Sequence, residues 1–285
     1  MTRRARLDAE LVRRGLARSR EQAAELVAAG QVRVPGRPSV KAATQVAVGD
    51  PIVVEAPAGE TFVSRGGHKL TGALDAFVGP GAGAGRNVGG AGVGETAGLR
   101  LAGRRALDAG ASTGGFTDVL LRRGVREVVC VDVGYGQLAW SLQTDERVRV
   151  LDRTNVRDLD PAVVGAPVDL VVADLSFISL RLVLPALAGV LAVDGDLVPM
   201  VKPQFEVGRE LLGPGGVVRD PEQRADAVAA VAASAWSDLG LGTAGVVASP
   251  LPGPAGNVEF FLWLRRDAGP LDRALLDAAV AAGPA

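Results

Sequence analysis

Of the 31 basic residues in this chain, only three are lysines: Lys41, Lys69 and Lys202. An arginine guanidinium keeps its proton in a protein, whereas a lysine amine can give one up and act as a base. Lysines kept in so arginine-rich a chain are therefore candidates for proton chemistry. Lys69 follows Gly66-Gly67-His68, which reads as a turn opening a helix, and Lys202 ends the apolar run Leu197-Val-Pro-Met-Val-Lys202. Two carboxylates stand at the ends of comparable runs. Asp174 closes Asp169-Leu-Val-Val-Ala-Asp174, and Glu259 opens Glu259-Phe-Phe-Leu-Trp263. Two lysines and two carboxylates in one crevice would hold a general base with its tuning charges. The same residues also read as two ordinary ion pairs at strand ends.

A second group is the glycine loop in Ala106-Leu-Asp-Ala-Gly-Ala-Ser-Thr-Gly-Gly-Phe-Thr-Asp118. Its spacing, Gly110-x-x-x-Gly114-Gly115, departs from the G-x-G-x-x-G dinucleotide fingerprint. Gly110 permits a tight turn, and Gly114 and Gly115 would let a ligand approach the helix start. Asp108 and Asp132 close the flanking strands, where a carboxylate can accept ribose hydroxyls. An acidic loop suits a cationic amino-acid end better than a pyrophosphate. S-adenosylmethionine has an ammonium, a sulfonium and no phosphate. A purely structural glycine turn, or another nucleotide cofactor, stays open on the residues alone.

The elements that must position these groups alternate. Apolar runs at 105–108, 128–132, 148–151, 170–174, 197–201, 243–247 and 258–265 read as strands. Amphipathic stretches at 114–123, 137–142, 180–191 and 221–239 read as helices. Such alternation predicts a doubly wound α/β fold with a mainly parallel sheet, whose ligands lie beyond the strand carboxyl ends. Residues 79–98 are glycine-rich and too poor in apolar side chains to pack a core, which predicts a flexible surface insertion. The single cysteine, Cys130, lies in a strand run and is expected to be a buried free thiol.

The first 60 residues read as a separate α+β unit. Two short helices stop at Gly15 and Gly30, with Ser19 capping the second, and three short strands follow. Net charge is −1 overall, but residues 1–41 carry ten basic against four acidic side chains. A basic arm on a near-neutral body is the footprint of a polyanion-binding module. The ordered series Arg6-Leu-Asp8, Gly15-Leu-Ala-Arg-Ser-Arg20, Gly30-Gln-Val-Arg-Val34 and Val48-Gly-Asp-Pro-Ile-Val53 resembles an S4 RNA-binding domain. That resemblance implies phosphate contacts at Arg3, Arg4, Arg6, Arg18, Ser19, Arg20 and Lys41. No apolar stretch approaches the length of a membrane helix, and the amino terminus shows no signal peptide, so a cytoplasmic protein without stable membrane association is expected.

Residues 1–265 as a whole resemble the TlyA family, an S4 domain joined to an FtsJ-like 2′-O-methyltransferase. The match is carried by Val63-Ser-Arg-Gly-Gly-His-Lys-Leu70, the glycine loop, Val131-Asp-Val-Gly-Tyr-Gly-Gln-Leu-Ala-Trp140, Arg153-Thr-Asn155, Ala173-Asp-Leu-Ser-Phe-Ile-Ser179 and Val201-Lys-Pro-Gln-Phe-Glu-Val-Gly208. It implies a Rossmann-like class I methyltransferase with a seven-stranded sheet at 69–267, after an S4 domain at 1–60 and a linker at 61–68, with a tail at 268–285. It also implies a catalytic tetrad of Lys69, Asp174, Lys202 and Glu259, with no metal. S-adenosylmethionine would be held by Asp108, Gly110, Ser112, Thr113, Gly114, Gly115, Phe116, Asp132, Asn155 and Asp174. Arg65 joins the RNA-facing set. The implied reaction is 2′-O-methylation of cytidine in 16S and 23S ribosomal RNA, with Lys202 as general base, placed and tuned by Lys69 and Glu259. An inactive ribosome-binding factor and a membrane-active haemolysin are the competing classes. A base methyltransferase would more often show a Pro-Pro-Tyr or cysteine-nucleophile motif, and neither occurs.

Overall fold

The computed structural model describes residues 4–17, 20–28, 30–37, 39–54, 61–78 and 98–284. Arg3, Arg18, Ser19 and residues 79–97 of the glycine-rich stretch lie outside the described residues. The chain divides into two units, Met1–Thr61 and Phe62–Ala285.

In the first unit, β1 (Arg4–Arg6), α1 (Leu7–Arg13), α2 (Arg20–Ala28), β2 (Val32–Arg33), β3 (Gln45–Ala47) and β4 (Val53–Val54) enclose a small core of Leu7, Leu11, Ala23, Val27, Val32, Val34 and Val46. Gly15 and Gly30 have φ of +70° and +69°, the left-handed conformation that stops a helix. Strand β1 pairs antiparallel with β3, Arg4 opposite Ala47. Nothing in Arg4-Ala-Arg6 announces a strand, because the partner that makes it one lies about 40 residues on.

The second unit opens on α3 (Arg65–Val78). It continues through β5 (Arg105–Ala109), α4 (Gly115–Arg122), β6 (Glu127–Val131), α5 (Trp140–Gln143), β7 (Val148–Leu151), α6 (Pro161–Val164) and β8 (Val168–Ala173). Then come α7 (Leu184–Val190), β9 (Leu191–Val201), α8 (Pro203–Glu206), α9 (Pro221–Leu239), β10 (Gly242–Ala248), β11 (Phe260–Arg265) and α10 (Arg273–Ala281). The seven strands run in the order β10-β11-β9-β8-β5-β6-β7, and β11 alone runs against the direction of the other six. Strand side chains alternate between two apolar layers. Leu107, Val129 and Val131 face α7, α9 and α10, while Ala106, Val128 and Cys130 face α3 and α4. Strands covered on both faces read as continuous apolar runs, which makes the central strands visible in the sequence, while edge strand β7 leaves Arg149 and Val150 exposed.

Three local expectations need correction. Residues 61–68 are not a free linker: from Phe62 onward they belong to the second unit, and the Val63 N–H donates to Asp118 Oδ2 at 3.0 Å. Gly66-Gly67-His68 is part of α3, not a turn, and a Cβ on Gly67 would overlap the Phe62 ring. The helix expected over 180–191 is shorter, because Leu191 already pairs with Val168 as the start of β9. Apolar periodicity alone does not separate a buried helix from a buried strand.

The residues set apart as a tail contain α10. Its N-cap Asp272 accepts the Ala274 N–H at 2.8 Å, and Leu276 is fully buried in the same layer as α9. Leu276→Ala should lower the unfolding free energy of the second unit by about 2–5 kcal/mol, measured by denaturant melting. An unchanged midpoint would mean that α10 is not part of the cooperative core.

Candidate active site

The sheet reverses its order beside β5, which opens a crevice at the carboxyl ends of β5 and β8. Gly110 leaves β5 with φ of +83°, and a Cβ there would overlap the backbone carbonyl oxygen of Asp174. The glycine is thus required by the meeting of two strand ends. Ser112 follows at φ +47° and donates its N–H to Asp132 Oδ2 at 2.8 Å, while the Gly134 N–H reaches Asp132 Oδ1 at 2.7 Å. Asp132 is held at the end of β6 by these two bonds. Asn155 caps a short turn by accepting the Arg157 N–H at 3.1 Å. These residues border a cleft of about 360 Å³, lined by Gly110, Ser112, Asp132, Asn155, Asp174 and Ser176 among others.

The other residues assigned to the cofactor are not on the cleft wall. Gly114 and Gly115 make room for protein: a Cβ on Gly114 would overlap Leu142, and one on Gly115 would overlap Ser64. Phe116 is buried against Phe261, with ring centroids 5.9 Å apart. The Thr113 carbonyl accepts the Ala139 N–H at 3.2 Å, which joins the loop to the entry of α5. Asp108 is 1% exposed and lies behind the loop. Its Oδ2 accepts the Thr117 hydroxyl at 2.7 Å, and its buried Oδ1 has no hydrogen-bond partner among the described residues. Burial pushes its carboxyl up to about 7, against the opposing Thr117 bond and with the help of the Asp174 and Asp132 charges. Burial also pushes the neighbouring Cys130 thiol up to about 12.

The four candidate catalytic side chains gather at the same edge. Strand β11 enters antiparallel to β9 with Phe260 opposite Val201, which sets Glu259 beside Lys202. Lys69 Nζ lies 2.6 Å from Glu259 Oε2, with the two side chains 9% and 1% exposed. Lys202 Nζ lies 2.6 Å from Asp174 Oδ1, and it donates to Ser176 Oγ at 2.8 Å. The four residues form two ion pairs: Lys202 is held by Asp174 and Ser176, and Lys69 with Glu259 forms a separate buried pair. Sequence reasoning misses Ser176, although a hydroxyl two residues beyond a strand-end aspartate is a readable signal.

In the first unit, Arg6 and Arg20 both reach Asp8 Oδ2, at 2.8 and 3.1 Å. The Arg6 bond leads in holding the buried Asp8 carboxyl well below the usual range. Lys41 is exposed, in a segment whose carbonyls at Ala42 and Thr44 take the N–H groups of Asp8 and Leu7. Arg6, Arg20 and Lys41 thus share one end of α1. Arg4 is exposed on β1. Buried Glu10 pairs with both Arg13 and Arg14 and offsets one of their two charges. Arg65 lies in the second unit, exposed, with its guanidinium reaching the Pro252 carbonyl at 3.4 Å.

Sheet order, glycine loop and strand-end acids define a class I methyltransferase. Residues 62–266 match the FtsJ-like methyltransferase family and residues 5–52 the S4 domain. The chain belongs to the TlyA family: it is 59% identical over 275 residues to the 16S/23S rRNA (cytidine-2′-O)-methyltransferase TlyA of Mycobacterium tuberculosis, covering 96% of this chain and 94% of that one. It is 32% identical to Hemolysin A of Brachyspira hyodysenteriae, across 90% of this chain and 97% of that one. A solved structure from Streptococcus thermophilus, named as a hemolysin, superposes with a TM-score of 0.73 at 35% identity, across 99% of this chain and 96% of that one. S-adenosylmethionine is the methyl donor of this class. The residues fit it: an acidic cleft backed by a buried carboxylate with an unpartnered oxygen matches a ligand carrying an ammonium and a sulfonium.

Asp108 leaves a mark on stability. Its carboxyl titrates higher in the folded than in the unfolded chain, so between about pH 4 and about pH 7 the folded state holds a proton that the unfolded state has released. Stability should therefore fall as pH rises through that window, by an amount on the order of a few kcal/mol. Melting curves of Asp108→Asn across the same range should lose most of that slope. An equal slope in the variant would place the titration elsewhere.

Proposed function

We propose that the chain methylates the ribose 2′-hydroxyl of cytidine in 16S and/or 23S ribosomal RNA in the cytoplasm, with Lys202 as general base. The observation that carries this reading is the placement of Lys202 Nζ, 2.6 Å from Asp174 and 8% exposed, on the residue that also lines the donor cleft. The substrate is the one printed in the name of the relative that is 59% identical. Bound S-adenosylmethionine supplies an already activated methyl group, so the chain has to position the ribose and remove one proton. The neutral amine of Lys202 takes that proton, and Asp174 steadies the resulting ammonium. The Lys69–Glu259 pair closes the neighbouring side of the site with a fixed dipole. The basic end of α1 in the S4 domain holds RNA phosphates, which positions the substrate without reading its sequence. Relatives named as hemolysins share the fold. Among the described residues no helix is long and apolar enough to cross a membrane, and the paired lysines speak for transfer chemistry.

Lys202→Arg keeps the charge and removes the base. Methyl transfer from labelled donor to unmethylated ribosomal subunits should fall by about a hundredfold or more. Donor binding, followed by calorimetry, should persist. A variant with near-normal transfer would remove Lys202 from the role of base.

A further inference from the structure

A neutral primary amine has two N–H bonds and one lone pair, and only the lone pair can accept a proton. Around Lys202, Ser176 Oγ accepts an N–H at 2.8 Å, and Asp174 Oδ1 stands 2.6 Å away as the ion-pair partner. With one N–H directed at Ser176 Oγ and the Asp174 carboxylate occupying the adjoining side, the lone pair is turned away from both. Ser176 is itself exposed on the cleft wall.

The serine is fixed by the residues on its carboxyl side. Phe177 has φ of +64°, a left-handed conformation that bulky residues seldom adopt and that persists where the surroundings enforce it. Just beyond, the Ser179 hydroxyl and the Leu180 N–H both donate to Glu206, each at 2.6 Å. Glu206 ends α8, the helix that begins directly after Lys202. The segment carrying Ser176 and the segment carrying Lys202 are therefore tied together a second time, by a carboxylate outside the tetrad.

We propose that Ser176 is a positioning residue for methyl transfer: with Lys202 read as the base, the serine hydroxyl accepts one N–H and so aims the lone pair at the ribose hydroxyl. Asp174 alone would leave the amine free to turn about its Cε–Nζ bond. The test compares the full-length chain with Ser176→Ala, Ser176→Thr and Lys202→Arg, using labelled S-adenosylmethionine and unmethylated ribosomal subunits. Ser176→Ala should lose about tenfold in kcat, while KM for the donor and for the subunits stays within about twofold and the melting temperature is unchanged. Ser176→Thr restores a hydroxyl and should recover most of kcat. A Ser176→Ala enzyme with the parent kcat overturns the proposal. So does a loss confined to KM for the donor, which would make the serine a donor contact only. An active Lys202→Arg removes the base reading and the role of Ser176 with it. An inactive Lys202→Arg beside a fully active Ser176→Ala removes the serine alone.

Discussion

A charge taken out of water must meet its counter-charge, and this site holds two such encounters side by side. Lys69 and Glu259 are nearly sealed from solvent, while Lys202 is mostly buried and Asp174 reaches the cleft. An unpaired partner in either place would be costly, because the desolvation of the survivor would go uncompensated. The four residues come from α3 and from the ends of three different strand segments. They meet only if the sheet is assembled in its one order, with β11 inserted antiparallel between β9 and β10. The register of Phe260 against Val201 is thus both a structural and a chemical constraint.

Around those pairs the edge of the sheet is acidic. Asp108, Asp132 and Asp174 close three strands that lie next to one another. Asp132 accepts two backbone N–H groups, and Asp174 faces Lys202 Nζ. The third, Asp108, is bonded by the Thr117 hydroxyl and backbone N–H, and burial still raises its carboxyl to about 7. This concentrates negative potential in the cleft while keeping one carboxyl behind the wall in a form that the interior tolerates.

The strands and the two-unit division are legible because they rest on local composition: apolar runs covered on both faces, and a basic, glycine-punctuated opening segment. The candidate catalytic residues are legible as types at strand ends. The hidden features depend on contacts between distant segments. The charged Arg4-Ala-Arg6 becomes β1 only through β3. The partner of each lysine is not readable, since Glu259 and Asp174 are both candidates for both. The neighbours that Gly114 and Gly115 accommodate, Leu142 and Ser64, come from other segments and show only in the packing. Helix α10 does carry a local signal, Asp272 ahead of apolar residues at helical spacing. That signal says a helix can form there, but not that a core is waiting to receive it.

The Lys69–Glu259 contact spans 190 residues of chain. During synthesis Lys69 leaves the ribosome long before its counter-charge exists, while the first unit already has every partner that its small core needs. The methyltransferase unit cannot seal its central charge until β11 emerges, or close its second apolar layer until α10 does. Its folding is governed by non-local closure, which is slow, whereas the RNA-binding unit depends on contacts within about 50 residues. The order of synthesis therefore yields a folded RNA-binding module first, attached to a catalytic module still waiting for its last strand.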